Sequence, residues 1–346
     1  MTRVACIDIG TVTARLAVAD VEGGRVTRLI KHSEICNLGE GVDATGRLRP
    51  DAIERVFSCV RGYVALAVEA GAPAACCTLT SAARDAENSR DMTSALESLG
   101  LSPLVIPGRI EGSLTFLGVA QDFRGRRILV ADNGGGSTEL ALGSLGEDGA
   151  LDLTYVRSVD VGCRRVTEKY LQAASLPTAG DLAAALAAAH AFVAEGFAPA
   201  VEEGGLWAAG SERAVAGAPE ALVVCGGTVT SLVAMDAELE PYDSARVHLA
   251  SLTREKVEAL EARLAGLTVE QRAELPGLQA KRAPVILGGA VAISELMRQT
   301  SFSALQASES DLLFGLALTA AASLDGTASP VGWRPEMHAL PECPLR

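Results

Sequence analysis

The chain has 346 residues, of which 49% are hydrophobic and 21% charged, and a formal net charge of −13. A single core stops growing at roughly 250–300 residues, so two domains are expected, and this balance excludes a disordered or fibrous chain. The acidic charge repels polyanions at long range, which speaks against a sequence-independent nucleic-acid coat but not against small phosphate ligands held by backbone N–H groups and a few arginines.

In chain order, MTRVACIDIG enters a core-strand pattern at once. No basic stretch and apolar leader precede it, which makes the cytoplasm the expected location. The longest nearly apolar run, Leu182 to Ala194, contains His190. It falls short of the ~20 residues a bilayer needs, so no membrane partner is expected. The eight cysteines are scattered, with one adjacent pair, Cys76 and Cys77, and no CxxC spacing. They read as buried reduced thiols. The four histidines form no zinc-binding constellation.

Two segments align without a gap: IDIGTVTARLAVAD from Ile7 and ADNGGGSTELALG from Ala131. Asp8 matches Asp132, Gly10 matches Gly134, Thr13 matches Ser137 and Arg15 matches Glu139. Apolar runs flank each, so both read as strand, tight Gly/Thr/Ser turn, strand. A duplicated hairpin implies two domains of similar plan. Glycine lets backbone N–H groups converge on an anion, and hydroxyls add donors. An aspartate ending the entering strand can hold a hydrated Mg²⁺ against the same phosphate.

Two further glycine pairs lie in ALVVCGGTVTSLVAM (from Ala221) and APVILGGAVAISELM (from Ala283). Each reads as a strand, a Gly-Gly turn and a helix, which is either a phosphate site or an ordinary tight connection. PTAGDLAAALAAAHAFVAEG predicts a helix with Thr178 and Asp181 at capping-box spacing and Gly196 near its end. REKVEALEARLAGL predicts a helix with Val257, Leu260 and Leu264 on its apolar face. The segment after Ser323 reads as a loosely held tail.

These features, in this order, resemble the exopolyphosphatase / guanosine pentaphosphate phosphatase (Ppx/GppA) family in its short two-domain form. The resemblance runs from Val4 to about Leu318. It is carried by DIGTVTARL (from Asp8), LTSAARDAEN (from Leu79), VIPGRIEGSLTFLGV (from Val105), DNGGGSTEL (from Asp132), SVDVGCRRVTEKYL (from Ser158), CGGTVTSL (from Cys225), LPGLQAKRAPVILGGA (from Leu275) and ASESDLLFG (from Ala307). Long members carry a further helical module with an HD-type signature, which this sequence does not contain.

The resemblance implies an α/β fold of two actin-like (ribonuclease H-like) domains with an interdomain cleft. Residues 1–125 and 126–322 would form the domains and 323–346 the tail. It makes Glu111 the general base, and puts Asp132 and Glu139 on Mg²⁺ and the attacking water, with Asp8 a metal partner, direct or one step removed. Arg15, Arg84 and Arg282 would contact phosphates. Thr11, Thr13, Gly134, Gly135, Gly136, Ser137, Gly226, Gly227 and Thr228 would cradle them. The implied substrate is inorganic polyphosphate or guanosine pentaphosphate, and the implied assembly a homodimer, for which no heptad or exposed apolar stripe argues.

Several positions depart from the family pattern. Val12 replaces an asparagine, Pro107 a serine and Ile110 a glutamate, while Asn133 stands where a small aliphatic residue is usual. Leu313 and Phe314 replace an Arg-Glu pair. Two groups of arginines and lysine, Arg124/Arg126/Arg127 and Arg164/Arg165/Lys169, are candidate strips for a long polyanion and equally candidate solvated faces. Two other functions stay open: a kinase-like transferase of the same superfold, and a phosphate or alarmone sensor that binds without turnover.

Overall fold

The first strands show why the repeat folds as it does. β1 (Thr2–Ile9), β2 (Thr13–Glu22) and β3 (Arg25–Ile35) form an antiparallel meander. The middle of β1, Val4 to Ile7, is apolar at every position because both faces of the sheet are covered. β4 (Ala74–Leu79) and β5 (Pro103–Val105) extend the sheet in parallel beyond β1. On one face, Ile7, Ile9 and Leu16 pack against Val56, Val60 and Ala67 of the Pro50–Glu69 helix. On the other, Val4, Cys6 and Ala17 meet Leu114 and Leu117 of the Gly108–Ala120 helix and Leu312 and Leu316 of the Leu312–Leu324 helix. The computed structural model describes residues 1–172 and 179–341.

The second sheet repeats the plan. β6 (Arg127–Asn133) and β7 (Thr138–Leu145) are antiparallel, and β8 (Leu151–Val159) follows β7 in the strand order. β9 (Ala221–Cys225) runs parallel to β6, and β11 (Ala304–Ser308) parallel to β9. β10 (Ser251–Thr253) adds an antiparallel edge. The order β3-β2-β1-β4-β5 thus recurs as β8-β7-β6-β9-β11. Leu129, Ala131, Leu140 and Val224 face a helical layer that includes Phe197, Leu232, Val257 and Leu296.

By internal contacts the chain divides into a unit of Met1–Asp122, Gly146–Leu151 and Leu312–Arg346 and a unit of Phe123–Leu145 and Asp152–Asp311. The expected second domain ran to residue 322, yet the Leu312–Leu324 helix belongs to the first unit. That helix is apolar on every side, and at Gly315 an added Cβ would lie 1.8 Å from the Leu114 carbonyl oxygen. Only glycine lets the two backbones approach so closely.

The expected loose tail is held as well. β12 (His338–Ala339) pairs antiparallel with β4, and Val331, Trp333 and Met337 pack on the apolar cluster beneath it. Residues 342–346 lie outside the described residues, as does Thr178 of the expected capping box. The helix beginning at Ala179 passes Gly196, which packs against Val161, and ends at Gly204. Its Gly180–Gly204 stretch is long and apolar enough by length and composition to cross a membrane, longer than the apolar run in the sequence suggested. Here Ala189, Val193, Phe197 and Val201 from it enter the second unit's core.

The Gly288-Gly289 segment, expected as strand and turn, lies wholly inside the Ile286–Thr300 helix. An added Cβ would sit 2.5 Å from the Cys163 carbonyl oxygen at Gly288 and 2.4 Å from the Thr228 hydroxyl at Gly289. A helix buried on all sides carries the same continuous apolar run as a buried strand, which is why the pattern misled.

His190 on the Ala179–Gly204 helix bridges two acids. Its Nε2 lies 2.8 Å from Glu261 Oε1, its Nδ1 3.4 Å from Glu295 Oε2, and Arg298 closes the group against Glu258 and Glu295. The hydrogen bond to Glu261, then that to Glu295, raises His190 from its ordinary 6.5 to about 9. The group therefore contributes stability in full below pH 6.5 and loses it as pH rises through about 9. His190→Gln should lower stability at pH 6 by on the order of 2 kcal/mol and flatten the fall between pH 6.5 and 9, as read by denaturant unfolding across pH.

Candidate functional site

The head of each hairpin carries a cross-strand pair at matching positions. In the first, Asp8 of β1 stands opposite Arg15 of β2. Arg15 Nη2 and Nε donate to Asp8 Oδ2 at 2.6 and 3.1 Å, and the Thr78 hydroxyl donates to Asp8 Oδ1 at 3.1 Å. Asp8 is fully buried. In the second, Asp132 of β6 stands opposite Glu139 of β7. Directly opposed side chains on an antiparallel pair project to one face, so two carboxylates share that face where the first copy holds an ion pair.

The turns are built alike. Gly10 N–H donates to the Thr13 carbonyl at 2.9 Å, and Gly134 N–H to the Ser137 carbonyl at 3.0 Å. In each unit the chain returning from the third strand then crosses over the turn. Gly39 N–H donates to the Thr11 carbonyl at 2.8 Å, while Cys163 and Arg164 N–H donate to the Gly134 and Gly135 carbonyls at 2.9 Å. Taking up these carbonyls fixes the turns that bear Thr11, Thr13 and Gly134 to Ser137.

The first unit brings Arg84 and Glu111 together. Glu111 sits in the first turn of the Gly108–Ala120 helix, where the partial positive end favours a carboxylate, and is buried. Arg84 Nη1 donates to Glu111 Oε2 at 2.5 Å and to the Ile106 carbonyl at 3.1 Å. The family departures fit locally: Pro107 caps the helix start, where no N–H is needed, and Ile110 packs on the apolar cluster. Val12 is buried, and its carbonyl accepts from Cys36 and Asn37 N–H.

The second unit gathers the remaining glycines. Gly226 has φ 99, and a Cβ there would lie 2.7 Å from the Asn133 carbonyl oxygen and 3.2 Å from Asp132 Oδ1. Gly227 opens the Gly227–Asp236 helix, and Arg282 lies so close that a Cβ on Gly227 would meet its Nη1 at 1.8 Å. Asp132, a helix N-terminus and an arginine are thereby neighbours. Thr228 is buried against Gly289. The basic groups are engaged locally: Arg126 with Glu220, Arg127 with Gly217 and Thr154, Arg164 with Glu168, Arg165 with the Gly136 carbonyl, and Lys169 over Phe192.

Among the described residues, no three His, Cys, Asp or Glu side chains group as a metal cage. Mg²⁺ needs less, since one or two carboxylates with waters and phosphate oxygens suffice. The Asp132/Glu139 pair, hard oxygen donors of like charge beside the space left by Gly226, fits such an ion. Asp8, expected as a metal partner either directly or one step removed, is bonded by Arg15 and Thr78.

Four residues escaped the sequence reading. Ser158 donates to Glu139 Oε1 at 2.7 Å, alongside Ser137 at 2.8 Å, so the Ser137 hydroxyl serves the carboxylate. Thr78 holds Asp8, and Gly39 and Gly162 press against the turns. A longer repeat window would have found three of them, because Ser33 and Gly39 follow the first hairpin much as Ser158 and Gly162 follow the second.

Residues 17–321 match the sequence pattern of the Ppx/GppA phosphatase family. Exopolyphosphatase 2 of Mycobacterium tuberculosis is 34% identical over 338 residues, covering 93% of this chain and 99% of its own. A crystal structure of an exopolyphosphatase-like protein superposes with TM-score 0.78 at 30% identity, covering 92% of this chain and 97% of that one. The Aquifex aeolicus Ppx/GppA family member superposes with TM-score 0.71 at 25% identity over 94% of this chain and 98% of its own.

At Gly162 an added Cβ would lie 2.4 Å from the Gly135 carbonyl oxygen, a backbone atom, whereas at Gly39 it would meet the Thr11 methyl, which can rotate. Gly162→Ala should cost about 2–3 kcal/mol and Gly39→Ala less. Gly62→Ala, in open space on a helix, should stabilise by about 0.5–1 kcal/mol. Equal unfolding midpoints for the three would contradict this packing.

Proposed function

Because the chain belongs to the Ppx/GppA phosphatase family, we propose that it is a Mg²⁺-dependent hydrolase releasing terminal orthophosphate from inorganic polyphosphate. The observation that carries the reading is the exchange at the hairpin heads. Where the first copy pairs Asp8 with Arg15, the second opposes Asp132 and Glu139, an arrangement that calls for a cation.

Hydrolysis of a phosphoanhydride needs a positioned water, charge neutralisation and donors for the non-bridging oxygens. A divalent ion, which Asp132 and Glu139 would hold, would supply charge neutralisation on those oxygens. Glu111, with its carboxylate oriented by Arg84, takes the proton of the attacking water. Backbone N–H groups of the Thr11–Thr13 and Gly134–Ser137 turns bind phosphate oxygens. The N-terminus of the Gly227–Asp236 helix, with Thr228, does the same. Arg15 and Arg282 add positive charge, and the planar Arg282 fork presents several donors beside Gly227.

The names of the similar mycobacterial enzymes favour polyphosphate over guanosine pentaphosphate. Orthophosphate release with Mg²⁺ from polyphosphate and guanosine pentaphosphate, measured in parallel, tests the substrate. Glu111→Gln should lower kcat by roughly 10²–10⁴-fold while shifting KM little. Release from guanosine pentaphosphate alone would transfer the reading to the nucleotide. Binding of either ligand with no turnover would make the protein a sensor, and undiminished turnover in Glu111→Gln would remove that residue from the mechanism.

A further inference from the structure

The Glu139 carboxylate is held from two directions. Ser137, in the turn that precedes it, donates to Oε1 at 2.8 Å, and Ser158, near the end of β8, donates to the same oxygen at 2.7 Å. Glu139 is 2% exposed. A glutamate has three rotatable bonds, and two hydroxyls, one fixed in the turn and one on β8, confine the carboxylate to one orientation, on the face it shares with Asp132. Hydrogen bonds to an ionised acceptor are the stronger kind, so this hold is substantial.

The first copy provides an internal control. There Ser33 of β3 stands opposite Arg15, giving the line Asp8, Arg15, Ser33 across three strands. In the second copy Asp132 stands opposite Glu139, and Ser158 of the third strand donates to Glu139. The serine of the third strand is common to both, but only in the second copy does its neighbour bear a carboxylate that a hydroxyl can orient. In the first copy the salt bridge from Arg15 to Asp8 fixes the central side chain.

We propose that Ser158 is a positioning residue that sets the Glu139 carboxylate for divalent-cation binding. This rests on the assignment of Asp132 and Glu139 as the cation pair. Ser158 acts through Glu139 and touches neither ion nor substrate. Partners that orient a metal-binding carboxylate typically govern affinity by 10–100-fold. Ser158 is half-buried near the end of an edge strand, a place where losing one hydroxyl leaves the core intact.

The test is Mn²⁺ binding to the full chain without substrate, followed by the free-ion electron paramagnetic resonance signal, for wild type, Ser158→Ala and Ser158→Thr. Ser158→Ala should weaken Mn²⁺ binding at least about 10-fold with an unchanged unfolding midpoint, and Ser158→Thr, which keeps the hydroxyl, should recover most of it. Equal affinity in Ser158→Ala and wild type would overturn the proposal, as would a wild type that binds no Mn²⁺. Parallel loss of affinity and folded stability in both variants would reduce Ser158 to a structural role and overturn it too. A protein whose Mn²⁺ affinity depends on Ser158 but which releases no phosphate would sustain this inference while removing the hydrolase reading.

Discussion

The structure turns on what stands opposite an aspartate at the end of a strand. A buried carboxylate must be paired, hydrogen-bonded or bound to a cation. The two hairpin heads meet this requirement differently on the same strand-turn-strand plan. Asp8 is satisfied internally by Arg15 and Thr78. Asp132 faces another acid, Glu139, beside the start of the Gly227–Asp236 helix and Arg282. One exchange, arginine for glutamate, replaces an ion pair by two carboxylates on one face, and the proposed cation site rests on that exchange.

The surrounding chain keeps both heads in shape. Each turn is closed by a bond from its first glycine to the residue three positions on, and each is crossed by the segment returning from the third strand. Glycine is required where that segment passes, most strictly at Gly162, which lies against backbone. Gly226 and Gly227 give the Asp132 carboxylate and the Arg282 guanidinium room beside the start of the Gly227–Asp236 helix. Preorganised donors of this kind do not have to be rearranged when charge develops on a phosphate.

Much of this was legible in the sequence, because the hairpin is a local structure. Strand, turn and strand lie within about fifteen residues, so the alignment of Asp8 with Asp132 and Arg15 with Glu139 already states which side chains oppose one another. What escaped was non-local. The bond from Ser158 to Glu139 joins two strands across the β7–β8 connection, and Arg84 reaches Glu111 from a separate helix. The start of the Ile286–Thr300 helix looked like a strand and turn because neighbours cover it on every side, erasing its polar stripe. The Leu312–Leu324 helix and the β12 strand return to the first unit, and local pattern carries no information about which sheet a distant segment rejoins.

The central claim is that the second hairpin head, and not the first, holds the cation. Calorimetric titration of Mg²⁺ into Asp8→Asn and Asp132→Asn tests it most directly. The account predicts that Asp132→Asn loses Mg²⁺ binding by at least about 10-fold while Asp8→Asn retains the wild-type affinity. Loss of binding in Asp8→Asn with Asp132→Asn unaffected would contradict it.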